Sequence, residues 1–244
     1  DDHLSTFAER VLAEGGKLLS PSPEFIRLTA NKHRTAQWLA NARVPTPRGL
    51  VFSPGNTVPS DFPFPAVLKP IGGAGSLDIQ RIDNLARLSS IATTSPVRLE
   101  QYQVGTPVSV AAICGPHGYT LLPPCSQRIS DTGDFAYLGG ACPIATPLAE
   151  RANRLAERTL RAFRRPTGYV GVDMVLGEDH SGAGDVVIEV NPRLTTSYVG
   201  LRRIVRENLA GAMLSAVRGE HIELSTYPHR VEFSADGKVN ILFE

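Results

Sequence analysis

One strand in the C-terminal third of the chain restricts its fold and function more than any other segment. Residues 186–190 read VVIEV, and Val and Ile favour a buried strand. Yet Glu189, Asn191 and Arg193 occupy alternate positions at its end, and side chains two apart on a strand share a face. An acid, an amide and a base are costly to bury unless each has a partner. The pattern therefore predicts a binding site at the end of a core strand.

A second strand, GYVGVDMVL, places Asp173 among apolar residues. If the two strands form a hairpin across the polar turn EDHSGAGD, Asp173 and Glu189 face each other. Two close carboxylates repel unless a cation lies between them, and with the Asn191 amide they offer the hard oxygen ligands that suit Mg²⁺. Arg193, next on that face, can bind a phosphate with two hydrogen bonds. A buried Glu189–Arg193 ion pair is the alternative, but it explains neither Asp173 nor Asn191.

The segment VLKPIGGAGS adds Lys69, at the end of an apolar strand, and a glycine-rich loop. Gly72, Gly73 and Gly75 let backbone N–H groups approach an anion closely, and Lys69 supplies a positive charge. The loop matches neither the P-loop nor the dinucleotide-binding pattern, so a hairpin loop beside a surface lysine is the alternative. Together with the predicted magnesium site, the segment indicates a nucleoside triphosphate held by its phosphates.

Composition and charge argue against several other classes. The chain has 244 residues, 42% of them hydrophobic, and a formal net charge of +1. We therefore expect no nucleic-acid partner, no membrane span and no secretory signal. Three cysteines without paired spacing, Cys114, Cys125 and Cys142, predict reduced thiols and a cytoplasmic location. The chain begins at Asp1 rather than Met, which suggests that sequence is missing upstream.

The pattern of apolar residues predicts an α+β protein. Alternating residues predict antiparallel strands between 65 and 129, a strand hairpin over 168–193 and one or two strands in the tail. The predicted helices are 4–14, a short helix from Ser22, 31–41 with Trp38 and Leu39 facing inward, 84–92, 147–163 and 201–217.

Four blocks between residues 30 and 210 resemble the ATP-grasp superfamily of ligases, in the family's order. They are NKHRTAQWLANARVPTP, AVLKPIGGAGS, LEQYQVGTPVSV, and GVDMVL with IEVNPR. The E-x-N-x-R spacing of the last block is the most specific. The resemblance implies the ATP-grasp fold, in which two α+β lobes enclose ATP, preceded by the end of a small α/β N-terminal domain. It implies that N-terminal part over 1–48, a small lobe over 49–106, and a large lobe with the magnesium site over 107–244.

The resemblance also implies how the nucleotide is bound. Lys69 would bind the α- and β-phosphates. A mobile lid over the phosphates would contain Gly72, Gly73, Gly75 and Ser76. Backbone groups at the hinge between the lobes would read the adenine, at Glu100, Gln101 and Tyr102. The family often has an acid that binds the ribose where this chain has Pro107, so ribose recognition departs from the pattern.

For the reaction, the resemblance implies ATP-dependent ligation. Asp173, Glu189 and Asn191 would hold one or two Mg²⁺ ions, for which Mn²⁺ can substitute. A carboxylate attacks the γ-phosphate to give an acyl phosphate and ADP, and an amine or thiol then displaces phosphate. Lys69 and Arg193 would be the catalytic residues, with Arg193 stabilising the transferring phosphoryl group and the acyl phosphate. Positioning and charge neutralisation suffice for such chemistry, so no protein nucleophile is needed.

Substrate residues are predicted on either side of this site. Thr195, Thr196 and Ser197 either bind a carboxylate or amine, or cap the helix that begins near Gly200. Arg128 either holds a substrate carboxylate or is a surface arginine. Tyr137, in the segment FAYLGG, lies in the region that faces the acceptor in such ligases.

The segment NPRLTTSYVGL and the compact size look most like the tyramine–L-glutamate ligase group of methanofuran biosynthesis, which joins the γ-carboxyl of glutamate to tyramine. The alternatives are another amino-acid or peptide ligase or a carboxylase-like enzyme on this fold, and an ATP-binding regulatory module without turnover. Pro107 is the one feature that favours the last. The expected partners are a small-molecule acid and amine and, since relatives are commonly dimeric, a second copy of the chain.

Overall fold

The computed structural model describes residues 2–53, 55–73, 78–91 and 93–243, which contain seven helices and twelve strands. The helices are α1 (Asp2–Ala13), α2 (Pro23–Thr29), α3 (Lys32–Asn41), α4 (Leu85–Ser89), α5 (Thr146–Ala162), α6 (Tyr198–Ile204) and α7 (Leu209–Val217). The strands are β1 (Gly49–Phe52), β2 (Ala66–Pro70), β3 (Gln80–Ile82), β4 (Val97–Gln101), β5 (Thr106–Gly115), β6 (Gly118–Leu121), β7 (Cys125–Ile129), β8 (Tyr137–Cys142), β9 (Gly168–Leu176), β10 (Val186–Asn191), β11 (Arg230–Ser234) and β12 (Val239–Leu242). None of the described helices combines the length and apolar character that crossing a membrane requires.

The strands form two antiparallel sheets. The small sheet has the order β1-β4-β2-β3, and the large sheet has the order β10-β9-β5-β7-β8-β11-β12, with β6 also paired to β5. The predicted α+β class with antiparallel pairing is therefore confirmed. The chain passes from the small sheet to the large one between Gln101, the last residue of β4, and Thr106, the first residue of β5.

Strand β5 shows why the large sheet is buried on both faces. Val108, Val110 and Ala112 belong to the core cluster that includes residues of α2, α3 and α5, whereas Ala111 and Ile113 belong to the cluster with α6, α7 and β11. Side chains alternate between the faces of a strand, so an apolar run without polar alternation is what a strand covered on both sides requires.

Helices α2 and α3 pack into the core of the large sheet. Phe25 of α2 and Leu39 of α3 are buried in the same cluster as α5, and the Phe25 ring centroid is 4.9 Å from that of Phe163. The predicted helix starts are present, since the Ser22 hydroxyl accepts from the Phe25 N–H at 3.3 Å and the Asn31 side chain caps α3. Helices α2 and α3 are therefore part of the large lobe's hydrophobic core.

The prediction that Trp38 faces inward is wrong. Its side chain is 42% exposed and stacks on Phe163, with ring centroids 6.2 Å apart. The indole N–H donates to the Ala162 carbonyl at 2.9 Å. An indole N–H needs an acceptor, and the free carbonyl at the end of α5 supplies one at the surface rather than in the core.

The predicted single helix over 201–217 is also wrong, because the segment forms α6 and α7. Between them Val205 makes a β-bridge to Thr226. Asn208 then caps α7, its side chain accepting from the N–H groups of Ala210 and Gly211. An asparagine that bonds to the backbone ahead of it favours a helix start over a helix interior.

Strand β8 was not predicted, because its sequence YLGGAC reads as a turn. The two glycines instead allow close strand contact. A Cβ atom on Gly139 would lie 2.1 Å from the Phe233 carbonyl oxygen, and one on Gly140 would lie 2.1 Å from the Ser126 carbonyl oxygen. Only glycine therefore lets β8 pair with β7 on one side and β11 on the other.

A buried ion pair anchors the β9–β10 hairpin to α5. Arg151 of α5 and Asp185, which precedes β10, are both buried, and Arg151 Nε donates to Asp185 Oδ2 at 3.1 Å. Asp185 also accepts from the Gly177 N–H at 3.0 Å, while Arg151 donates to the Gly177 carbonyl at 2.6 Å. Strand β9 carries Asp173 and β10 carries Glu189. The Arg151–Asp185 ion pair therefore helps to fix the two strands that hold the predicted metal ligands.

Replacing Asp185 with Ala should lower the free energy of unfolding by about 3–5 kcal/mol, because it leaves the Arg151 charge buried without its partner. Urea denaturation followed by circular dichroism measures the change. Glu157→Ala is the matched control, since its ion pair with Arg161 lies on the exposed face of the same helix. Equal effects of the two substitutions would show that the buried pair does not hold the hairpin.

Candidate active site

A cavity of about 470 Å³ lies between the two sheets. The small sheet and the hinge contribute Val67, Lys69, Glu100, Gln101, Tyr102 and Gln103; the large sheet and its loops contribute Pro107, Ser109, Gln127, Tyr137, Asp173, Glu189, Asn191, Arg193, Thr195, Thr196 and Ser197; α3 contributes Lys32. The cavity therefore brings Lys69, predicted to bind phosphate, together with Asp173, Glu189 and Asn191, predicted to bind magnesium.

Strand register explains why acids face this cavity. Asp173 of β9 lies directly opposite Glu189 of β10 on one side and opposite Ser109 of β5 on the other. Strand β10 contains a bulge between Val187 and Glu189. A bulge adds one residue to a strand, so Val187 and Val190 both enter the core while Glu189 keeps its place opposite Asp173. The prediction that the two carboxylates face each other is confirmed by this register.

Asp173 is held by two amides. Gln127 Nε2 donates to its Oδ1 at 2.9 Å, and Asn191 Nδ2 donates to its Oδ2 at 2.8 Å. Removal from solvent and the nearby Glu189 carboxylate raise the pKa of Asp173 to about 7. The amide hydrogen bonds and Arg193 act in the opposite direction but do not restore the ordinary value. The Asp173 carboxyl is therefore about half protonated at neutral pH, and a cation bound beside it would favour its charged form.

Lys32 is a site residue that the sequence reading missed. It is 8% exposed, and its Nζ lies 3.3 Å from Glu189 Oε1 and donates to the Gly73 carbonyl at 2.8 Å. It therefore connects the glycine loop to the carboxylate pair. The sequence contained a signal for this contact. Lys32 lies in the first turn of α3, where a positive charge opposes the helix dipole and is unfavourable unless an acid lies nearby.

Lys69 belongs to a second buried network. Its Nζ lies 2.5 Å from Glu100 Oε1, and Arg98 Nε donates to Glu100 Oε2 at 2.6 Å. Arg98 also donates to the Pro47 carbonyl at 3.2 Å and lies 2.9 Å from His33 Nδ1. Desolvation and Arg98 lower the pKa of His33, so the ring stays neutral and accepts from the guanidinium. The Glu100 carboxylate, placed at the adenine hinge by the sequence reading, thus orients Lys69.

At the hinge, two of the backbone donors expected to read adenine are already in use. The Gln101 N–H donates to the Arg48 carbonyl at 2.8 Å, and the Tyr102 N–H donates to the Pro65 carbonyl at 3.0 Å. The Tyr102 ring lies 5.0 Å below the Arg81 guanidinium. Adenine would have to be read by other groups of this segment, of which Gln103 also lines the cavity.

The segment that follows β10 brings one cation and three hydroxyls to the cavity. Arg193 Nη2 donates to Asn191 Oδ1 at 3.4 Å, and Thr195 Oγ1 lies 2.8 Å from Ser197 Oγ. Ser197 directly precedes α6 but makes no side-chain capping hydrogen bond. With Thr196, these residues line the same cavity as the carboxylate pair.

Three described residues that were predicted for the site, Arg128, Gly72 and Gly73, do not line this cavity. Arg128 is exposed on β7 and donates to the Phe233 carbonyl at 3.4 Å, outside the cavity lining. Gly75 and Ser76 lie outside the described residues. Of the glycine loop, Gly72 and Gly73 are described, and Gly73 has a φ of +91°, which favours glycine.

The donor set at β9 and β10 fits a magnesium ion. Among the described residues no group of three or more His, Cys, Asp or Glu side chains could hold a metal ion, so Asp173 and Glu189 would need further oxygen ligands. Asn191 now turns its amide nitrogen to Asp173 and its oxygen to Arg193, so the amide would rotate to ligate through oxygen. Mg²⁺ commonly binds one or two carboxylates and takes its other ligands from phosphates and water.

The chain belongs to the ATP-grasp family, since the ATP-grasp domain model matches residues 29–197. It is similar to an ADP complex of N5-carboxyaminoimidazole ribonucleotide synthetase, with 15% identity, a TM-score of 0.78, and coverage of 93% of this chain and 61% of that one. It is also similar to an L-amino acid ligase from Bacillus licheniformis, with 16% identity and a TM-score of 0.78. That match covers 92% of this chain and 57% of the ligase chain.

A third similar structure is the biotin carboxylase domain dimer of 2-oxoglutarate carboxylase from Hydrogenobacter thermophilus, in complex with MgADP, ADP and bicarbonate. Identity is 16%, the TM-score is 0.75, and coverage is 93% of this chain and 55% of that one. This chain therefore spans less than two thirds of each of these three solved chains. The similarities confirm the ATP-grasp fold.

Mg²⁺ should bind more tightly as the pH rises, because Asp173, with a pKa of about 7, must lose its proton to act as a ligand. From about pH 6 to about pH 8 the association constant should rise about tenfold, which is the change in the ionised fraction of one such group. Calorimetric titration with MgCl₂ measures it, and Asp173→Asn should bind weakly without this dependence. An equal affinity at both pH values would exclude Asp173 as the controlling group.

Proposed function

We propose that the chain is the ATP-binding and catalytic part of a carboxylate–amine ligase that forms an amide through an acyl phosphate. The single observation that carries the proposal is the cavity in which Lys69, the Asp173–Glu189 pair and Arg193 meet. Lys69 and Arg193 can bind the phosphates of ATP, and the carboxylate pair can bind the metal ion that accompanies them. Phosphoryl transfer requires this neutralisation of the phosphate charge.

In this proposal the phosphates lie between the two lysines. Lys69, oriented by Glu100, binds the α- and β-phosphates, and Lys32 faces the terminal phosphates from the other side. The loop that contains Gly72, Gly73, Gly75 and Ser76 covers them, and the segment from Glu100 through Gln101 and Tyr102 to Gln103 holds the adenine. Pro107 cannot bind the ribose through a side-chain hydrogen bond, so neighbouring polar groups such as Ser109 take that role.

Asp173, Glu189 and Asn191 would hold one or two Mg²⁺ ions, which supply charge neutralisation for the phosphate oxygens when bound. Arg193 stabilises the charge that develops on the transferring phosphoryl group. Gln127 keeps Asp173 in place, and Lys32 keeps Glu189 in place, so these two carboxylates need no reorganisation during the reaction.

The reaction has two steps. A carboxylate oxygen of the acid attacks the γ-phosphorus, and the bond to the β-phosphate oxygen breaks, so that ADP leaves with that electron pair. The amine nitrogen then attacks the acyl carbon, the bond from carbon to the phosphate oxygen breaks, and the nitrogen loses its proton to the departing phosphate. One oxygen atom of the acid therefore ends in inorganic phosphate.

L-Glutamate and tyramine, joined as in methanofuran biosynthesis, are the first substrate pair that we propose. Thr195, Thr196 and Ser197 support a polar acid, because they place hydroxyl groups beside Arg193. The L-amino acid ligase among the similar structures supports an amino-acid substrate. Another amino-acid or peptide ligase is the alternative that a different active pair would establish.

The same analogy extends to assembly and location. The similar biotin carboxylase domain is described as a dimer, and we propose a homodimer for this protein as well. All three cysteines are buried free thiols, which supports a reducing, cytoplasmic setting.

The test is ADP release from Mg·ATP with L-glutamate and a panel of amines that includes tyramine, with mass analysis of the product. An ¹⁸O-labelled carboxylate should transfer one label to phosphate, as an acyl phosphate requires. Turnover with a different pair would keep the mechanism and replace the substrates. ATP binding without ADP release for every pair would favour the regulatory module.

Glu189→Gln should lower kcat by at least about 100-fold, because it removes one metal-binding charge from the transition state, and should leave the fold intact. Glu157→Gln, on the exposed face of α5, is the control for a charge loss elsewhere. Circular dichroism checks the fold of both variants. Unchanged turnover in Glu189→Gln would overturn the assigned site.

A further inference from the structure

A second cavity, also of about 470 Å³, lies against residues 192–194. It is largely apolar, and we call it the groove. Its wall includes Phe7, Val11, Leu19, Tyr169, Leu194 and Met213. Phe7 is 60% exposed, Val11 41% and Leu194 47%, so large apolar side chains from two separate segments face solvent in one place. Apolar surface gathered in a concave site is typical of ligand binding rather than of scattered surface residues.

The groove shares a wall with the catalytic cavity. Arg193 lines both of them. Tyr169 also lines the groove, and its hydroxyl lies 3.4 Å from the Oγ1 atom of Thr195, a residue that lines the catalytic cavity. A ligand in the groove can therefore present one end at Arg193, beside the predicted phosphoryl transfer, while its remaining part stays on apolar surface.

The two cavities differ in charge. The catalytic cavity is lined by four carboxylates, Glu100, Asp131, Asp173 and Glu189. Among the described residues no carboxylate lines the groove, and its charged lining residues are Lys17 and Arg193, both basic. Carboxylates stabilise an ammonium ion, whereas apolar surroundings and neighbouring cations favour the neutral amine. Only the neutral amine has the electron pair that attacks a carbonyl carbon.

We propose that the groove binds the apolar body of the amine substrate, an alkyl or aryl amine whose nitrogen lies at Arg193. This inference rests on the proposed ligase function and adds the place where the apolar part of its amine binds. The nitrogen attacks the acyl carbon at the shared wall, the carbon–oxygen bond to phosphate breaks, and the phosphate leaves with the electron pair and the amine's proton.

The experiment uses n-alkylamines from propyl to hexyl with Mg·ATP and L-glutamate, or the acid of the panel that replaces it. Hydroxylamine, which has no apolar body, traps the acyl phosphate as a hydroxamate and serves as the reference nucleophile. The KM of the amine should fall about fourfold for each added methylene. Val11→Glu places a charge in the groove, and Leu12→Glu, on the same helix at 48% exposure but outside the groove, is the matched control.

In Val11→Glu, the ratio of hexylamine to hydroxylamine turnover should fall at least about tenfold, because a carboxylate opposes apolar burial. Phe7→Ala should raise the KM of hexylamine, and Leu12→Glu should leave the ratio unchanged. A flat alkyl series, an equal effect of Val11→Glu and Leu12→Glu, or a rise in the KM of the acid instead of the amine would overturn the groove assignment. Lack of any hydroxamate in the unaltered protein, by contrast, would refute the ligase function and the groove assignment with it.

Discussion

Asp173 and Glu189 are direct neighbours on antiparallel strands, and their mutual repulsion is the interaction on which the rest of the site depends. Like charges opposite each other weaken a strand pair, so the hairpin needs support from elsewhere. Core burial of Val187 and Val190 and the Arg151–Asp185 pair at the turn supply it. The β9–β10 hairpin can keep Asp173 and Glu189 side by side because its apolar side chains are buried in the core and its turn is bound to α5.

The compensating groups come from separate parts of the chain, and this ties the lobes to one another. Lys32 of α3 contacts both Glu189 and the carbonyl of Gly73, so a helix next to the large sheet meets the glycine loop of the small one. Burying a lysine at a helix start is unfavourable twice, through desolvation and through the helix dipole. The Glu189 carboxylate offsets both the desolvation cost and the unfavourable helix dipole. The position of α3 is therefore coupled to the carboxylate pair.

A feature of the fold or of the site could be predicted from the sequence when the contact that determines it lies between residues close together in the chain. The Asp173–Glu189 pairing followed from strand alternation and a short turn, so it was predictable. The bulge after Val187 was not, because it depends on which neighbouring residues reach the core. Lys32 depended on a contact with Glu189, far along the chain. Strand β8 was hidden because its glycines serve a close approach to β7 and β11 that local propensity reads as a turn.

Residues 192–197 separate two environments that one cavity could not provide. Carboxylates suit the binding of a metal triphosphate, and Glu100, Asp131, Asp173 and Glu189 all line that side. Under the proposed ligase function, an amine placed among these carboxylates would keep its proton and could not attack. On the other side, Phe7 and Leu194 offer apolar surface. Arg193 is the only charged residue that both sides share within the described cavity linings. Under the proposed ligase function, a side chain at that position would act on the phosphoryl group while the amine stays outside the acidic cavity.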